Sequence, residues 1–296
     1  MGKKVGIVIV NYNGEKYQND ALKSIYDSTF QDFEVVIVDS GSKDNSIALA
    51  KEQFPQVHCL LQNENVGVAK GNNIGIRYAT QELGTEYVLL LNNDIILDAM
   101  TLEHLVAHAD ENTITVPKIY YYEPSDMLWF AGGGMVWNRG EPVHWGNFET
   151  DKGQYDEIRQ IDYSPTCCML IHRSVFDRVG YIDEDIFMYC DDTDFCTRVI
   201  AAHIKMLYLP QSIMWHKVSS SGGGMDSKVQ VYYVVRNKLY YMRKYKERIP
   251  FVAYLYTHTK FLAKFLLSPV YKKNDKYILK AYLDFIKGRM GRCDTL

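Results

Sequence analysis

Long apolar runs are missing from this 296-residue chain. No uninterrupted stretch reaches the roughly 18–20 residues that a bilayer-spanning helix requires, so no spanning helix is expected. Its six cysteines (Cys59, Cys167, Cys168, Cys190, Cys196 and Cys293) form no C-x-x-C pair and no zinc-like spacing. That argues against a structural zinc or a dithiol redox centre. The start, Met1-Gly-Lys-Lys, passes at once into an apolar run without the features of a secretory signal, so a reduced cytoplasmic setting is expected. Also missing is a Gly-x-Gly-x-x-Gly turn after the first apolar run. Asn11-Tyr12-Asn13-Gly14 offers a single glycine there, and dinucleotide-dependent dehydrogenase chemistry is not expected. Disorder-prone composition is absent too. Hydrophobic residues make up 47% of the chain, enough for one large α/β domain with an appendage or for two modest domains.

The net charge of −3 conceals an asymmetry. Residues 1–224 hold 17 Lys and Arg against 31 Asp and Glu, a balance of −14, whereas residues 225–296 hold 16 against 5, a balance of +11. An acidic body and a basic tail imply different partners for the two parts. Tyr and Phe are interleaved with the tail's lysines, a pattern that suits an anionic membrane surface better than a purely solvated charge run. No nucleic-acid partner is expected.

The stretch around which the chain is organised is Glu86-Tyr-Val-Leu-Leu-Leu-Asn-Asn-Asp94. Val88 to Leu91 has the pattern of a strand buried on both faces of a parallel sheet. Ligands of open α/β sheets bind outside the carboxyl ends of strands, where Asn92, Asn93 and Asp94 stand. A carboxylate there suits a hard cation carrying a phosphate ester, although an Asn/Asp turn would have the same composition. The βα rhythm recurs on either side. Strands are expected at Val5–Val10, Phe33–Val38, Val57–Leu61, Ile114–Ile119, Cys167–Ile171 and Lys205–Leu209. Helices are expected from about Glu15 to Ser28, up to Phe54, up to Leu83, at Met100–Ala109 and at Arg173–Val179. Asn11 and Asp39 both fall at strand ends, the place from which a carboxylate reads a ribose or a base edge. Asp44 reads as a helix N-cap. Lys70 and the amides around Gly71 form either a phosphate contact or an ordinary glycine-containing loop.

Residues 120–162 break the rhythm with Gly132–Gly134 and with Trp129, Trp137 and Trp145, a region of short antiparallel strands that shapes a pocket. Further on, Asp191, Asp192 and Asp194 crowd the first turn of a helix running to about His203. The macrodipole welcomes acids there at about 0.3–1 kcal/mol each, so capping explains one or two, and a cation or sugar hydroxyl is the sharper reading. His216 follows an apolar run, where a lone histidine is more often structural. Two helices close the chain. Val229–Tyr245 carries Arg236 and Asn237, and Phe251–Pro269 sets Phe251, Leu255, Leu262 and Phe265–Leu266 apart from Lys260 and Lys264. The second lies in a membrane interface or packs on the body or a partner subunit.

Six pieces stand in one order between Val5 and His216: VIVNYNG, VVIVDSGSKDNS, NENVGVAKGNNIGI, YVLLLNND, CMLIHRSVFDRVGYIDEDIFMYCDDTDFCTRV and LPQSIMWH. Together they resemble glycosyltransferase family 2, and most closely its bacterial rhamnosyltransferase-like and galactofuranosyltransferase-like members. The resemblance implies an α/β GT-A fold with a mostly parallel central sheet over residues 1–224, plus a C-terminal helical region over 225–296. It also implies metal-dependent, inverting sugar transfer from a nucleotide-diphosphate donor, with Mn²⁺ or Mg²⁺ as cofactor. Asp39 then corresponds to the nucleobase-reading aspartate, and Asn92-Asn93-Asp94 to the DxD metal motif with Asp94 as ligand. His216 corresponds to a second metal ligand and Asp192 to the catalytic base. Asn11, Lys70, Asn92, Asn93, Asp191 and Asp194 remain candidate substrate contacts. Asn92 departs from the usual first acid, which removes one negative charge from the metal site, and Asp191 replaces a frequent Glu.

The implied donor is dTDP-rhamnose, with UDP-linked galactofuranose, galactose or glucose behind it. The implied acceptor is a cell-surface polysaccharide or a polyprenyl-diphosphate-linked glycan, reached from the inner face of the membrane. Homodimerisation is left open. A nucleotidyltransferase would need a glycine-rich signature that NYNG does not supply. A non-catalytic sugar-binding protein on the same scaffold would have little use for Asp94, Asp192 and His216 together.

Overall fold

A computed structural model describes residues 5–217, 227–271 and 275–296, with the side chains of 268–271 and 275 excepted. The first half alternates as the apolar runs demand. It comprises β1 (Val5–Asn11), α1 (Gln18–Tyr26), β2 (Phe33–Asp39), α2 (Ser46–Gln53), β3 (His58–Leu61), α3 (Gly67–Arg77), a π-helical turn (Tyr78–Glu82) and β4 (Tyr87–Leu91). The middle holds β5 (Ile95–Leu97), α4 (Thr101–His108), β6 (Thr113–Tyr121), β7 (Leu128–Phe130), β8 (Gly133–Val136), β9 (Glu141–His144) and β10 (Arg159–Ile161). There follow β11 (Cys168–His172), α5 (Arg173–Val179), α6 (Asp191–Ala201) and β12 (Lys205–His216), then α7 (Lys228–Lys244), α8 (Phe251–Tyr271) and α9 (Asp275–Ile286).

The main sheet runs β10-β12-β6-β11-β4-β1-β2-β3, with β5 paired to β12 and β7 to β6. Strands β3, β2, β1 and β4 are mutually parallel, β11 lies antiparallel between β4 and β6, and β12 returns parallel to β6. Every residue of β4 is buried, as a strand covered on both faces should be. The first helix starts three residues later than expected, because the Gly14 carbonyl accepts from the N–H groups of Tyr17 and Gln18 in a turn that precedes it. The two apolar runs at Lys205–Leu209 and Ile213–His216 form one strand, interrupted by a register shift between Leu209 and Ile213.

Helix α3 lies close on β1 because it is built on glycine. A Cβ at Gly71 would come 2.8 Å from Val10 and one at Gly75 2.2 Å from Val8. That packing, rather than a phosphate contact, accounts for Gly71. At the other end of the chain, α7 and α9 bury Tyr232, Tyr233, Val235, Leu239, Ile278 and Ala281 together with Phe261 of α8 and Phe187 of the body. Arg236 is buried among them, its guanidinium stacked on Tyr232 and Tyr233 and donating to the Gly291 carbonyl at 2.7 Å. The expected boundary at 224/225 falls outside the described residues. No described helix is long and apolar enough to cross a membrane.

Candidate active site

Parallel pairing of β1 with β2 and β4 brings three strand ends to one edge of the sheet, with Asn11 beside Asp39 and Ile9 beside Leu91. The polar residues that end those strands therefore meet. Asn11 is buried and central. Its amide nitrogen lies 2.9 Å from Asp39 Oδ1 and 2.9 Å from Ser46 Oγ, while its oxygen accepts from Asn93 Nδ2 at 2.9 Å. Gly14 leaves the space for this pairing, since a Cβ there would sit 2.2 Å from Asn11 Oδ1 and 2.4 Å from Asn93 Nδ2. Asp39 also accepts from the backbone N–H and hydroxyl of Ser42, at 3.1 and 2.6 Å. Among the described residues that leaves one of its roughly four lone-pair sites unused. Asp44 accepts from the N–H of Ser46 at 3.2 Å and of Glu15 at 2.9 Å, but the N-cap of α2 is Asn45, so Asp44 stands one residue ahead of the place expected for it. Burial works against its charge, but the Ser46 and Glu15 hydrogen bonds outweigh it and hold the carboxyl below its ordinary range.

Asp94 and His216 are 122 residues apart and both buried, with Asp94 Oδ1 3.1 Å from His216 Nε2. Pairing of β5 with the end of β12, Ile95 opposite His216, makes the contact. Asn92 Nδ2 lies 3.4 Å from the same imidazole nitrogen. Two ligands bound at about 2.1 Å on adjacent corners of an octahedron are about 3.0 Å apart, so the pair fits one edge of a small divalent ion's shell. Among the described residues no group of three or more His, Cys, Asp or Glu is arranged to hold a metal. The rest of such a shell would come from phosphate oxygens and water. Among the described residues His216 Nδ1 has no hydrogen-bond partner, and Trp129 stands edge-on to the ring at 4.8 Å.

These groups border a cleft of about 320 Å³ whose walls include Ser40, Asn92, Asn93, Trp129, Asp191, Asp192 and His216. Asn11, Asp39 and Asp94 stand behind the wall. Two further expected contacts lie away from it altogether. Lys70 is exposed on α3, roughly opposite Val68 and Asn72, which do line the cleft. Asp194 is fully buried and committed elsewhere. It accepts from Arg198 at 3.0 Å and Tyr245 at 2.8 Å, and Lys244 lies 2.6 Å away, so it ties α6 to α7 rather than touching a sugar. Two residues beyond Asp192, it points about 200° around the helix.

Asp192 Oδ2 accepts from the hydroxyl of buried Tyr163 at 2.6 Å, and Oδ1 from the N–H and hydroxyl of Thr193. Burial, then the Asp192 charge, pushes the Tyr163 phenol well above its ordinary range, so it stays a donor. His144 stands edge-on to Trp129 at 4.9 Å and beside Tyr163, and burial holds its imidazole below the usual range. Neither Tyr163 nor His144 was among the expected site residues. His144 comes from the glycine- and Trp-rich middle region and Tyr163 follows its last residue, which was the only signal.

Asp191 accepts from Thr166 Oγ1 at 3.3 Å, and burial, then the Asp192 charge, pushes its carboxyl up to about 7. A raised carboxyl keeps its proton in the native state at pH values where the unfolded chain has lost it. Stability therefore falls as pH climbs from about 4 to about 7. Asp191→Asn is predicted to remove that slope and to gain on the wild type by on the order of a few kcal/mol at pH about 8. Urea unfolding in EDTA across this range checks it, and parallel pH profiles would contradict it.

The sequence pattern of glycosyl transferase family 2 matches residues 6–180, more than half of the chain. The dTDP-rhamnosyl transferase RfbF of Shigella flexneri is 26% identical, with 98% of each chain covered. The low-salt glycan biosynthesis hexosyltransferase Agl10 of Haloferax volcanii is 27% identical over 79% of this chain and 74% of its own. Among solved structures, the mannosyltransferase PcManGT from Pyrobaculum calidifontis in complex with GDP-Man and Mn²⁺ superposes with a TM-score of 0.60 at 14% identity, covering 98% of this chain and 88% of that one. This chain belongs to glycosyltransferase family 2 and is a nucleotide-sugar glycosyltransferase of the GT-A fold.

Proposed function

We propose that the enzyme transfers rhamnose from dTDP-rhamnose, with inversion, to a hydroxyl of a polysaccharide or lipid-linked glycan. The observation that carries the reading is a cleft lined by His216, with Asp94 paired to it from behind the wall, and by a separate carboxylate, Asp192. The whole-length similarity to a dTDP-rhamnosyl transferase supports the donor, and UDP-linked hexoses are the next choice. Asp94 and His216 would hold Mn²⁺ or Mg²⁺, which would neutralise charge on the leaving diphosphate. Oxygen ligands suit Mg²⁺, and the imidazole tilts the pair toward Mn²⁺. Asp39 accepts a hydrogen bond from the nucleobase or ribose with its remaining lone pair. Asp192 takes the acceptor hydroxyl's proton as the new bond to the anomeric carbon forms and the bond to phosphate breaks, its electron pair leaving with the diphosphate. A base so placed contributes about 10²–10⁴-fold in rate.

The C-terminal region supports attachment to the inner face of an anionic membrane. Helix α8 packs inward with Ala253, Thr257 and Phe261 and, of the stripe expected to be distinct from its lysines, with Phe265 alone. Phe251, Val252, Leu255, Tyr256, Leu262, Leu266 and Leu267 are exposed on it, and Leu279, Leu283 and Ile286 on α9. Ten of the seventeen exposed large apolar side chains of the described residues thus lie in these two helices, within the tail that carries the positive balance.

Asp192→Asn is predicted to abolish dTDP release from dTDP-rhamnose in the presence of a polyprenyl-diphosphate-linked sugar, with donor binding kept within about threefold. Loss of donor binding in that variant would assign Asp192 another role. The full chain is predicted to sediment with vesicles containing phosphatidylserine and to lose that binding when Leu255, Leu262 and Leu266 become Ser. A protein that stays in solution as a dimer would instead assign the apolar face to a second copy.

A further inference from the structure

The backbone that presents Asp192 is strained at the two residues before its helix. Tyr189 and Cys190 both adopt left-handed conformations, at φ 63° and 68°, although neither is Gly, Asn or Asp. Such a turn persists only where its surroundings over-determine it. On one side the Phe187 carbonyl accepts from the Val68 N–H at 2.8 Å, and Phe187 is pressed against Gly67, where a Cβ would come 2.5 Å from that carbonyl. On the other side stands Asn237 of α7, fully buried, donating through Nδ2 to the carbonyls of Met188 at 2.8 Å and Tyr189 at 3.1 Å. Its amide can face only one way, because its oxygen accepts from Arg236 Nε at 3.0 Å and Nε has no lone pair to offer. The Cys190 carbonyl then accepts from the Asp194 N–H and opens α6.

We propose that Asn237 is a positioning residue for the base Asp192, holding the turn Met188–Cys190 in the conformation that aims the carboxylate into the cleft. The inference rests on the reading of Asp192 as base. It makes α7 a part of the catalytic unit rather than an appendage. Helix α6 is fastened to α7 independently, through Asp194 with Lys244 and Tyr245 and through Thr197 with Tyr241 at 2.8 Å. Loss of the Asn237 amide therefore frees the turn while the helix body stays in place.

The test is dTDP release from dTDP-rhamnose with a polyprenyl-diphosphate-linked sugar as acceptor, on the full chain. Asn237→Ala is expected to lower kcat at least tenfold while the dissociation constant for dTDP-rhamnose stays within about threefold. A kcat within twofold of the wild type overturns the inference, and so does a matched loss of kcat and donor affinity. Glycine adopts the left-handed region freely, so in a Cys190→Gly background the clamp has less to hold. The loss caused by Asn237→Ala should shrink there at least threefold, and an equal loss in both backgrounds overturns the proposal. If Asn237→Ala alone does not fold, Cys190→Gly/Asn237→Ala decides: folding of the pair with at least a tenth of the Cys190→Gly kcat supports the clamp, and failure to fold overturns it. A wild type that releases no dTDP overturns the transfer reading itself, and with it the base that this residue serves.

Discussion

A contact between two buried side chains 122 residues apart, Asp94 and His216, sets what this cleft can do. Neither is a site alone. Asp94 is placed by β4, buried along its whole length, and His216 by the last residue of a long, shifted strand that reaches the same edge. The three residues of β5 bring them together by pairing Ile95 with His216. A carboxylate and an imidazole at this separation can share a hard cation, which would neutralise charge on a diphosphate bound beside it. The linked amides of Asn11 and Asn93 tie the end of β4 to Asp39 through hydrogen bonds.

Across the cleft, the carboxylates at the start of α6 depend on the C-terminal helices. The Asp194 network and the Asn237 amide cross between the two parts of the chain. The acidic body and the basic tail thus share buried charges, although their surfaces differ in sign. The apolar residues on the outer sides of α8 and α9 belong to the same helical unit that holds the start of α6.

The fold was legible where burial is two-sided. Continuous apolar runs such as Val5–Val10 and Val88–Leu91 have one economical arrangement, and the polar residues ending them mark the working edge. Asp94, Asp192 and Asp39 could be placed at strand or helix ends from chain position, while the roles expected of them came from the resemblance to glycosyltransferase family 2. What could not be read depends on tertiary phase. Asp194 looks like its neighbours in sequence, and only Lys244 and Tyr245, some fifty residues on, show that it faces away. Lys70 sits on the outward side of a helix whose inward side is set by glycines. Three-residue β5 is too short for any period to show, and Tyr163 and His144 belong to no repeating pattern. The inward face of α8 was obscured because the helix carries apolar residues on nearly every side.

The most direct measurement is thermal unfolding of the wild type and of Asp94→Ala with dTDP-rhamnose and UDP sugars, in Mn²⁺, Mg²⁺ or EDTA. A ligand at about 100 times its dissociation constant adds about 2.7 kcal/mol to stability, a readily seen shift. The account predicts a rise with dTDP-rhamnose that needs the metal and disappears in Asp94→Ala. A larger rise with a UDP sugar would change the donor and keep the chemistry. An equal rise in EDTA, or in Asp94→Ala, would contradict the role given to the Asp94–His216 pair.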